Sequence, residues 1–334
     1  MVAEPLNLND MKFGAVAIGR NEGERLSRCL SSLSAIAATV VYVDSGSNDG
    51  SAQLARDKGH VEVIELDRSL PFTAARARNA GFKRLRELVP NVAYVQFLDG
   101  DCELREAWAE QAISFLDTHS DVGAVLGRLR ERHPERSIYN WICDREWDGP
   151  EGEVRACGGI AMVRAKAFAA VGGYREGIIA SEDTELCVRL RAVGWRIWRL
   201  DSEMAFHDAA ILRFGQWWRR ALRGGYGFAQ GAYLHGAPPE RHWVWESRRA
   251  WLWGVWLPIA CLMAGLLFYP WGWALWLIYP LQVLRQMLRN RGSLRGRAIL
   301  ALFQVLARFP EGCGQVKFTR DRLLGRQARL IEYK

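Results

Sequence analysis

In the first two hundred residues two hydrophobic periods alternate. Residues 13–18, 40–43, 61–66 and 92–98 are short runs of Val, Ile, Ala, Leu and aromatics with few polar breaks, as strands covered on both faces require. Between them, residues 24–37, 51–58 and 73–88 carry apolar positions at helical spacing. Strand and helix in regular alternation predict an α/β fold with a doubly wound, mostly parallel sheet. Ligands of such a sheet sit at the carboxyl ends of its strands.

Past residue 250 the pattern changes. Residues 251–284 contain no charged side chain, far more than the ~20 residues that cross a hydrocarbon core once. Tyr269-Pro270-Trp271-Gly272 is the best turn within the run and divides it into two arms of about 18 residues, each just long enough to span. Arg241, Arg248 and Arg249 precede the first arm, and Arg285, Arg289, Arg291, Arg295 and Arg297 follow the second. Both ends are therefore expected on the cytoplasmic face. Trp243, Trp245, Trp251 and Trp253 near the start and Trp271 and Trp273 at the turn fit two interfacial belts. A buried soluble hairpin or a re-entrant segment is the competing reading. Residues 298–309 place Ile299, Leu302, Phe303 and Leu306 on one helical face, which suits an interfacial helix or an ordinary core helix. The expected organisation is a catalytic domain over 1–235, split into 1–101 and 102–235, then a membrane-associated helical hairpin over 236–289 and a basic interfacial tail over 290–334.

Charge sharpens this picture. The chain has a formal net charge of +8, but residues 285–334 hold 12 Lys/Arg against 3 Asp/Glu, so the remainder is close to neutral. Basicity confined to the stretch after the most apolar segment points to an anionic membrane face and not to nucleic acid. Residues 1–10 are polar and acidic and read as no secretory signal. The seven cysteines show no paired metal-type spacing and read as reduced thiols in a reducing compartment.

The strand ends carry polar chemistry in place of known phosphate loops. No G-x-G-x-x-G follows the first strand, where Gly19 and Gly23 flank Arg20-Asn21-Glu22, and no G-K-[ST] loop is present. The second strand delivers Asp44 followed by Ser45-Gly46-Ser47-Asn48-Asp49-Gly50-Ser51, with Asp49 or Ser51 as the expected helix cap. The fourth ends at Asp99-Gly100-Asp101. Carboxylates at i and i+2 of an extended chain share a face, and the intervening glycine allows a diphosphate to approach, which suits a hard divalent cation. An acidic turn after a strand is the plainer reading of that triplet alone.

In order, Asn21-Glu22, Val43-Asp44-Ser45-Gly46-Ser47-Asn48-Asp49-Gly50, Ala77-Arg78-Asn79-Ala80-Gly81, Asp99-Gly100-Asp101, Gly172-Gly173-Tyr174 and Glu182-Asp183 resemble the family 2 glycosyltransferases with the GT-A fold. The resemblance covers roughly residues 13–220. It implies that Glu22 and Asp44 hold the nucleotide base and that Arg78 flanks the base and ribose or the diphosphate. It further implies Asp99 near ribose and metal, Asp101 as the direct Mg²⁺ or Mn²⁺ ligand, and Asp183 as general base with Glu182 shaping its pocket.

Three further features bear on that site. Glu182 and Asp183 precede a predicted helix over 185–193, where a carboxylate also serves as cap or dipole partner. His207-Asp208 follows a predicted strand over 196–200, and His207 can join Asp101 on the metal or be a structural histidine. Arg219 and Arg220 of Gln216-Trp217-Trp218-Arg219-Arg220 can clamp the diphosphate, although a plain interfacial helix explains them too. The run departs from the Q-x-x-R-W signature of processive members at Arg220, which favours addition of one sugar per encounter. Cys157-Gly158-Gly159 is expected to bring backbone close to donor sugar or acceptor. The expected reaction is inverting transfer from a nucleotide-diphosphate sugar to a hydroxyl of a lipid-linked or glycan acceptor at the cytoplasmic membrane. Polyprenyl phosphate as acceptor, and a catalytically silent nucleotide-sugar-binding scaffold, are the alternatives.

Overall fold

The computed structural model describes residues 13–37, 39–326 and 331. Its contacts divide the chain into two compact units, Met1–Leu212 and Arg213–Lys334.

The first unit is built on one nine-stranded sheet. Strands β1 (Phe13–Gly19), β2 (Val40–Asp44), β3 (Val61–Glu65) and β4 (Tyr94–Asp99) alternate with helices α1 (Glu24–Ser34), α2 (Ser51–Asp57) and α3 (Ala74–Leu88). They pair in parallel in the order β3-β2-β1-β4. The order reverses between β1 and β4, so a crevice opens at the carboxyl ends of those two strands, where doubly wound sheets take ligands. Helix α3 starts where Thr73 accepts a hydrogen bond from the Arg76 N–H, an ordinary N-cap. Phe97, Leu98, Val95 and Tyr42 are fully buried in the resulting core.

The second half of this unit mixes directions. It comprises β5 (Cys102–Leu104), α4 (Trp108–Thr118), β6 (Val122–Glu131), α5 (Ile138–Glu146), β7 (Gly152–Glu153), β8 (Ala161–Arg164), α6 (Ala165–Ala170), α7 (Glu182–Ala192) and β9 (Arg196–His207). β8 lies antiparallel between β4 and β6, β6 and β9 are parallel, and β5 and β7 both pair antiparallel with β9. β9 is longer than the sequence pattern indicates and runs through His207, because its outer half pairs with both β5 and β6.

The second unit is helical: α8 (Phe214–His235), α9 (Val244–Trp251), α10 (Leu257–Leu267), α11 (Ile278–Arg289), α12 (Leu294–Leu306) and α13 (Arg308–Leu323). Helix α8, assigned by its sequence to the end of the catalytic segment, groups here. Fully buried Gln315 of α13 donates to the Gly225 carbonyl of α8 and accepts from Ser247 of α9, tying three helices together.

Val244–Leu267 forms one helical run of 24 residues, long and apolar enough to cross a membrane. The expected second arm is not a matching helix. The chain returns through a 3₁₀ stretch, Trp271–Leu277, and then α11, which already carries Arg285 and Arg289. Within the first arm a π-helical stretch, Leu252–Trp256, precedes Pro258. Proline has no N–H for the carbonyls one turn back, and the Tyr279 hydroxyl donates to the Trp253 carbonyl at 2.8 Å. In an apolar setting such a freed carbonyl needs a partner from within the chain. Leu266, Leu267, Phe268, Tyr269 and Trp271 around the turn are each more than two-thirds exposed.

Candidate active site

Two loops meet at the carboxyl ends of β1 and β2. Asn21, at a positive φ of 58°, accepts from the Asn48 N–H through its side chain and donates its own N–H to Ser47. Ser51 accepts from the backbone of Glu22 and Gly23. Asp44 is 1% exposed and accepts from the Tyr42 hydroxyl at 3.0 Å and from the Ser47 N–H and hydroxyl at 2.7 and 2.5 Å. Its carboxylate thus organises the loop it begins. Glu22 pairs with Arg25 at 2.8 Å and lays its stem beside Gly100. Asp49 accepts from the Ser51 N–H, but Gly50 occupies the cap position of α2. In strand register Asp44 pairs with Gly19, and Asp99 with the adjacent Ile18. Two strand spacings therefore separate the backbones at Asp44 and Asp99, about 10 Å.

Arg78, on α3, is the hub of the crevice. It is 2% exposed and donates to Asp99 at 2.7 Å and to Glu182 at 2.6 Å, with its guanidinium over the Tyr174 ring. Burial works against its charge, but Asp99, Tyr174, Glu182 and Asp183 outweigh it and hold the pKa well above the ordinary arginine value. The neighbouring Asn79 explains why Ala77-Arg78-Asn79 and Gly172-Gly173-Tyr174 occur together. Its amide donates to the Tyr174 carbonyl and accepts from the Tyr174 N–H, clasping α3 to the segment before α7.

Asp183 follows directly on Glu182 in the first turn of α7 and is only partly exposed. The α7 cap position belongs to Ser181, and Asp183 accepts from the Thr184 N–H at 2.9 Å. Burial and then the adjacent Glu182 carboxylate push the Asp183 pKa up to about 7, with Arg78 pulling against them. A helix start alone lowers a carboxylate pKa, so here the pocket and its second carboxylate prevail.

Two glycines of these motifs make room for protein atoms. A Cβ at Gly159 would stand 2.2 Å from Arg78 Nη2, so the Cys157-Gly158-Gly159 segment makes room for the guanidinium. A Cβ at Gly100 would meet Glu22 Cγ at 3.0 Å and the Ile18 carbonyl at 3.2 Å. Gly100 is where the end of β4 closes on the end of β1.

The two carboxylates of Asp99-Gly100-Asp101 part company. Asp99 goes to Arg78, whereas Asp101, 6% exposed, lies 3.1 Å from His207 Nε2. Asp101, Cys102 and His207 form a cluster whose potential ligand atoms all lie within 4.8 Å of one another. The donor set fits a hard divalent cation. Octahedral bonds of ~2.1 Å place neighbouring donors ~3.0 Å apart, and Asp101 and His207 stand at about that separation as hydrogen-bond partners. Burial, and then Asp99, raise the Cys102 thiol pKa well above its ordinary value. Arg219 and Arg220 lie on α8 in the second unit, Arg219 exposed and Arg220 half-buried.

Sequence reasoning missed the residues that hold His207. Glu131 pairs with His207 across β6 and β9, accepts from the Ala209 N–H, and takes further hydrogen bonds from Asn140 and the His133 N–H. Trp147, just past α5, stacks its ring on the imidazole. Neither lies near a motif, and only the pairing of β6 with β9 brings them there.

Comparison with known proteins places this architecture. The model of glycosyl transferase family 2 matches residues 17–170 and that of glycosyl transferase family group 2 matches residues 137–288. The succinoglycan biosynthesis protein ExoA of Rhizobium meliloti is 30% identical over 190 residues, an alignment covering 54% of this chain and 57% of that protein. The glycosyltransferase AglE of Haloferax volcanii is 23% identical over 315 residues, 89% of this chain and 93% of AglE. Among solved structures, S. aureus TarS 1-349 has a TM-score of 0.52 at 16% identity, covering 90% of this chain and 92% of that one. The mannosyltransferase PcManGT of Pyrobaculum calidifontis, solved with GDP-Man and Mn²⁺, has a TM-score of 0.54 at 19% identity, covering 94% and 87%. The fold is GT-A, and the glycosyl transferase family 2 and family group 2 models together match residues 17–288 of the chain.

Proposed function

We propose that the chain is a membrane-attached, metal-dependent, inverting glycosyltransferase that moves a sugar from a nucleotide-diphosphate sugar to a hydroxyl of a lipid-linked acceptor in polysaccharide or glycan assembly. The observation that carries this reading is the Asp99–Arg78–Glu182 chain of ion pairs. It ties the end of the nucleotide-side strand β4 to the start of α7 and brings Asp183 to the same crevice.

In this reading Glu22 and Asp44 face the base and Asp99 the ribose. Asp183 takes the proton of the acceptor hydroxyl, whose oxygen forms a bond to the anomeric carbon. The bond from that carbon to the diphosphate breaks in the same displacement, and the nucleoside diphosphate leaves with the electron pair. A carboxylate with a pKa near 7 is matched to that task at neutral pH. Asp101 and His207 would hold Mg²⁺ or Mn²⁺, which when bound offsets charge building on the departing diphosphate. The Mn²⁺ and GDP-Man held by PcManGT support the ion and the donor class.

Membrane attachment rests on the 24-residue helical run, the exposed aromatic turn after it and the arginines on both flanks of the uncharged stretch 251–284, which also support a cytoplasmic catalytic unit. The test is transfer by the full chain in membranes across a panel of nucleotide sugars, offered polyprenyl phosphate in one arm and a lipid-linked sugar in the other. Labelled sugar should pass to the lipid-linked sugar with inversion at the anomeric carbon. Transfer to polyprenyl phosphate alone would reassign the acceptor, and no transfer from any donor would contradict the reading.

A further inference from the structure

We infer that Trp147 is a positioning residue for the divalent cation, fixing the ring of His207 through its indole face. This rests on the assignment of Asp101 and His207 as the ligands of that cation.

The Trp147 and His207 ring centroids lie 4.7 Å apart with planes inclined by 27°. His207 presents Nε2 to Asp101 at 3.1 Å on one edge, and the indole covers a ring face. An imidazole has two free torsions, and stacking an aromatic against it removes the swing that would carry Nε2 away from the site.

Trp147 is itself held on a rigid frame. Ser137 caps α5 by accepting from the Asn140 N–H. Asp144, one turn before Trp147, accepts from Arg130 and from the Glu131 N–H, both on β6. Asn140 donates to Glu131, the residue opposite His207 in the sheet. The Trp147 N–H donates to the Cys143 carbonyl, and Arg199 of β9 donates to the Trp147 carbonyl at 2.6 Å. The indole, at the end of α5, is therefore tied through Asp144 to β6 and through Arg199 to β9, the two paired strands that also place His207. The sheet supplies the frame and the indole supplies the last constraint.

The readout is Mn²⁺ binding to the full chain in detergent, followed by the electron paramagnetic resonance signal of free Mn²⁺ and by calorimetry, without donor or turnover. Trp147→Ala should weaken Mn²⁺ binding about 10-fold, in the range of losses seen when a residue supporting a metal ligand is removed. Trp147→Phe, which keeps a stacking face, should stay within about 3-fold of wild type. Trp147→Leu keeps apolar bulk without a ring face and should follow the alanine variant; it decides the matter if the alanine variant does not fold. His207→Ala should lose most binding. Wild-type Mn²⁺ affinity in a folded Trp147→Leu chain, with binding lost in His207→Ala, would overturn the role of Trp147 while leaving the metal site standing. Mn²⁺ retained by His207→Ala would remove the site and the inference together.

Discussion

Replacing Glu182 by glutamine isolates the electrostatics of the proposed base. Glutamine keeps the shape and an acceptor oxygen for Arg78, but removes the negative charge next to Asp183. Two effects then act in one direction. The like charge that raises the Asp183 pKa is gone, and Arg78, with one anionic partner fewer, stabilises the Asp183 carboxylate more. Asp183 stands at about 7 against an ordinary value of 3.8. A close charge moves a carboxylate pKa by roughly 1–3 units, so the acid limb should fall to about 5.5, the remainder of the rise being due to burial. At pH 6 a base of pKa 7 is about one-tenth ionised and one of pKa 5.5 about three-quarters. The variant should thus keep most of its plateau activity at pH 6, where wild type keeps little. The assay is kcat/KM for the sugar donor between pH 5 and 9, which reports the free enzyme. Activity rises with pH in both proteins because the deprotonated form is the active one. An acid limb that stays at about 7 in the variant, or moves upward, would refute the reasoning.

Other outcomes follow from the same contacts. Gly159→Ala places a Cβ 2.2 Å from Arg78 Nη2; it should cost about 1–3 kcal/mol in chemical unfolding and more activity than stability, because the displaced guanidinium holds both Asp99 and Glu182. Arg78→Met leaves the buried Glu182 carboxylate without its cation and should destabilise by about 3–5 kcal/mol at pH 8, with a smaller loss at pH 4, where carboxylates protonate. Chelation with EDTA should abolish turnover and Mn²⁺ restore it; turnover that survives removes the ion from the mechanism. Changing Arg285, Arg289, Arg291, Arg295 and Arg297 to glutamine should weaken binding to phosphatidylserine-containing vesicles by up to about 1 kcal/mol per arginine close to the surface and flatten its salt dependence, read by flotation.

Much of the nucleotide-side half was legible in the sequence because its signals are local. The runs at 40–43 and 92–98 became β2 and β4, and the helix at 73–88 became α3 with Thr73 as its cap. Asp44, Asp99 and Glu182-Asp183 stand at element ends, where an acidic residue beside an apolar run is conspicuous. What escaped depends on pairing at long sequence separation. His207 ends a strand only because β5 and β6 flank it, and Glu131, Asn140 and Trp147 reach it through that pairing. The glycines at 100 and 159 were visible, but the atoms they make way for belong to Glu22 and Arg78, tens of residues away. Likewise Asp99 and Asp101 share a face only in an unbroken strand, and β4 ends at Asp99. The hairpin's return arm reads as uniformly apolar, but composition does not reveal a 3₁₀ stretch of seven residues.

The central claim is that one crevice separates holding the donor from activating the acceptor, with Asp101 serving the first and Asp183 the second. The direct measurement is nucleotide-sugar binding with Mn²⁺, by calorimetry, alongside transfer, for Asp101→Asn and Asp183→Asn in the full chain. Asp183→Asn should bind the donor as wild type does and transfer no sugar, while Asp101→Asn should lose Mn²⁺-dependent donor binding. Transfer by Asp183→Asn at the wild-type rate, or unchanged Mn²⁺-dependent binding in Asp101→Asn, would contradict the account.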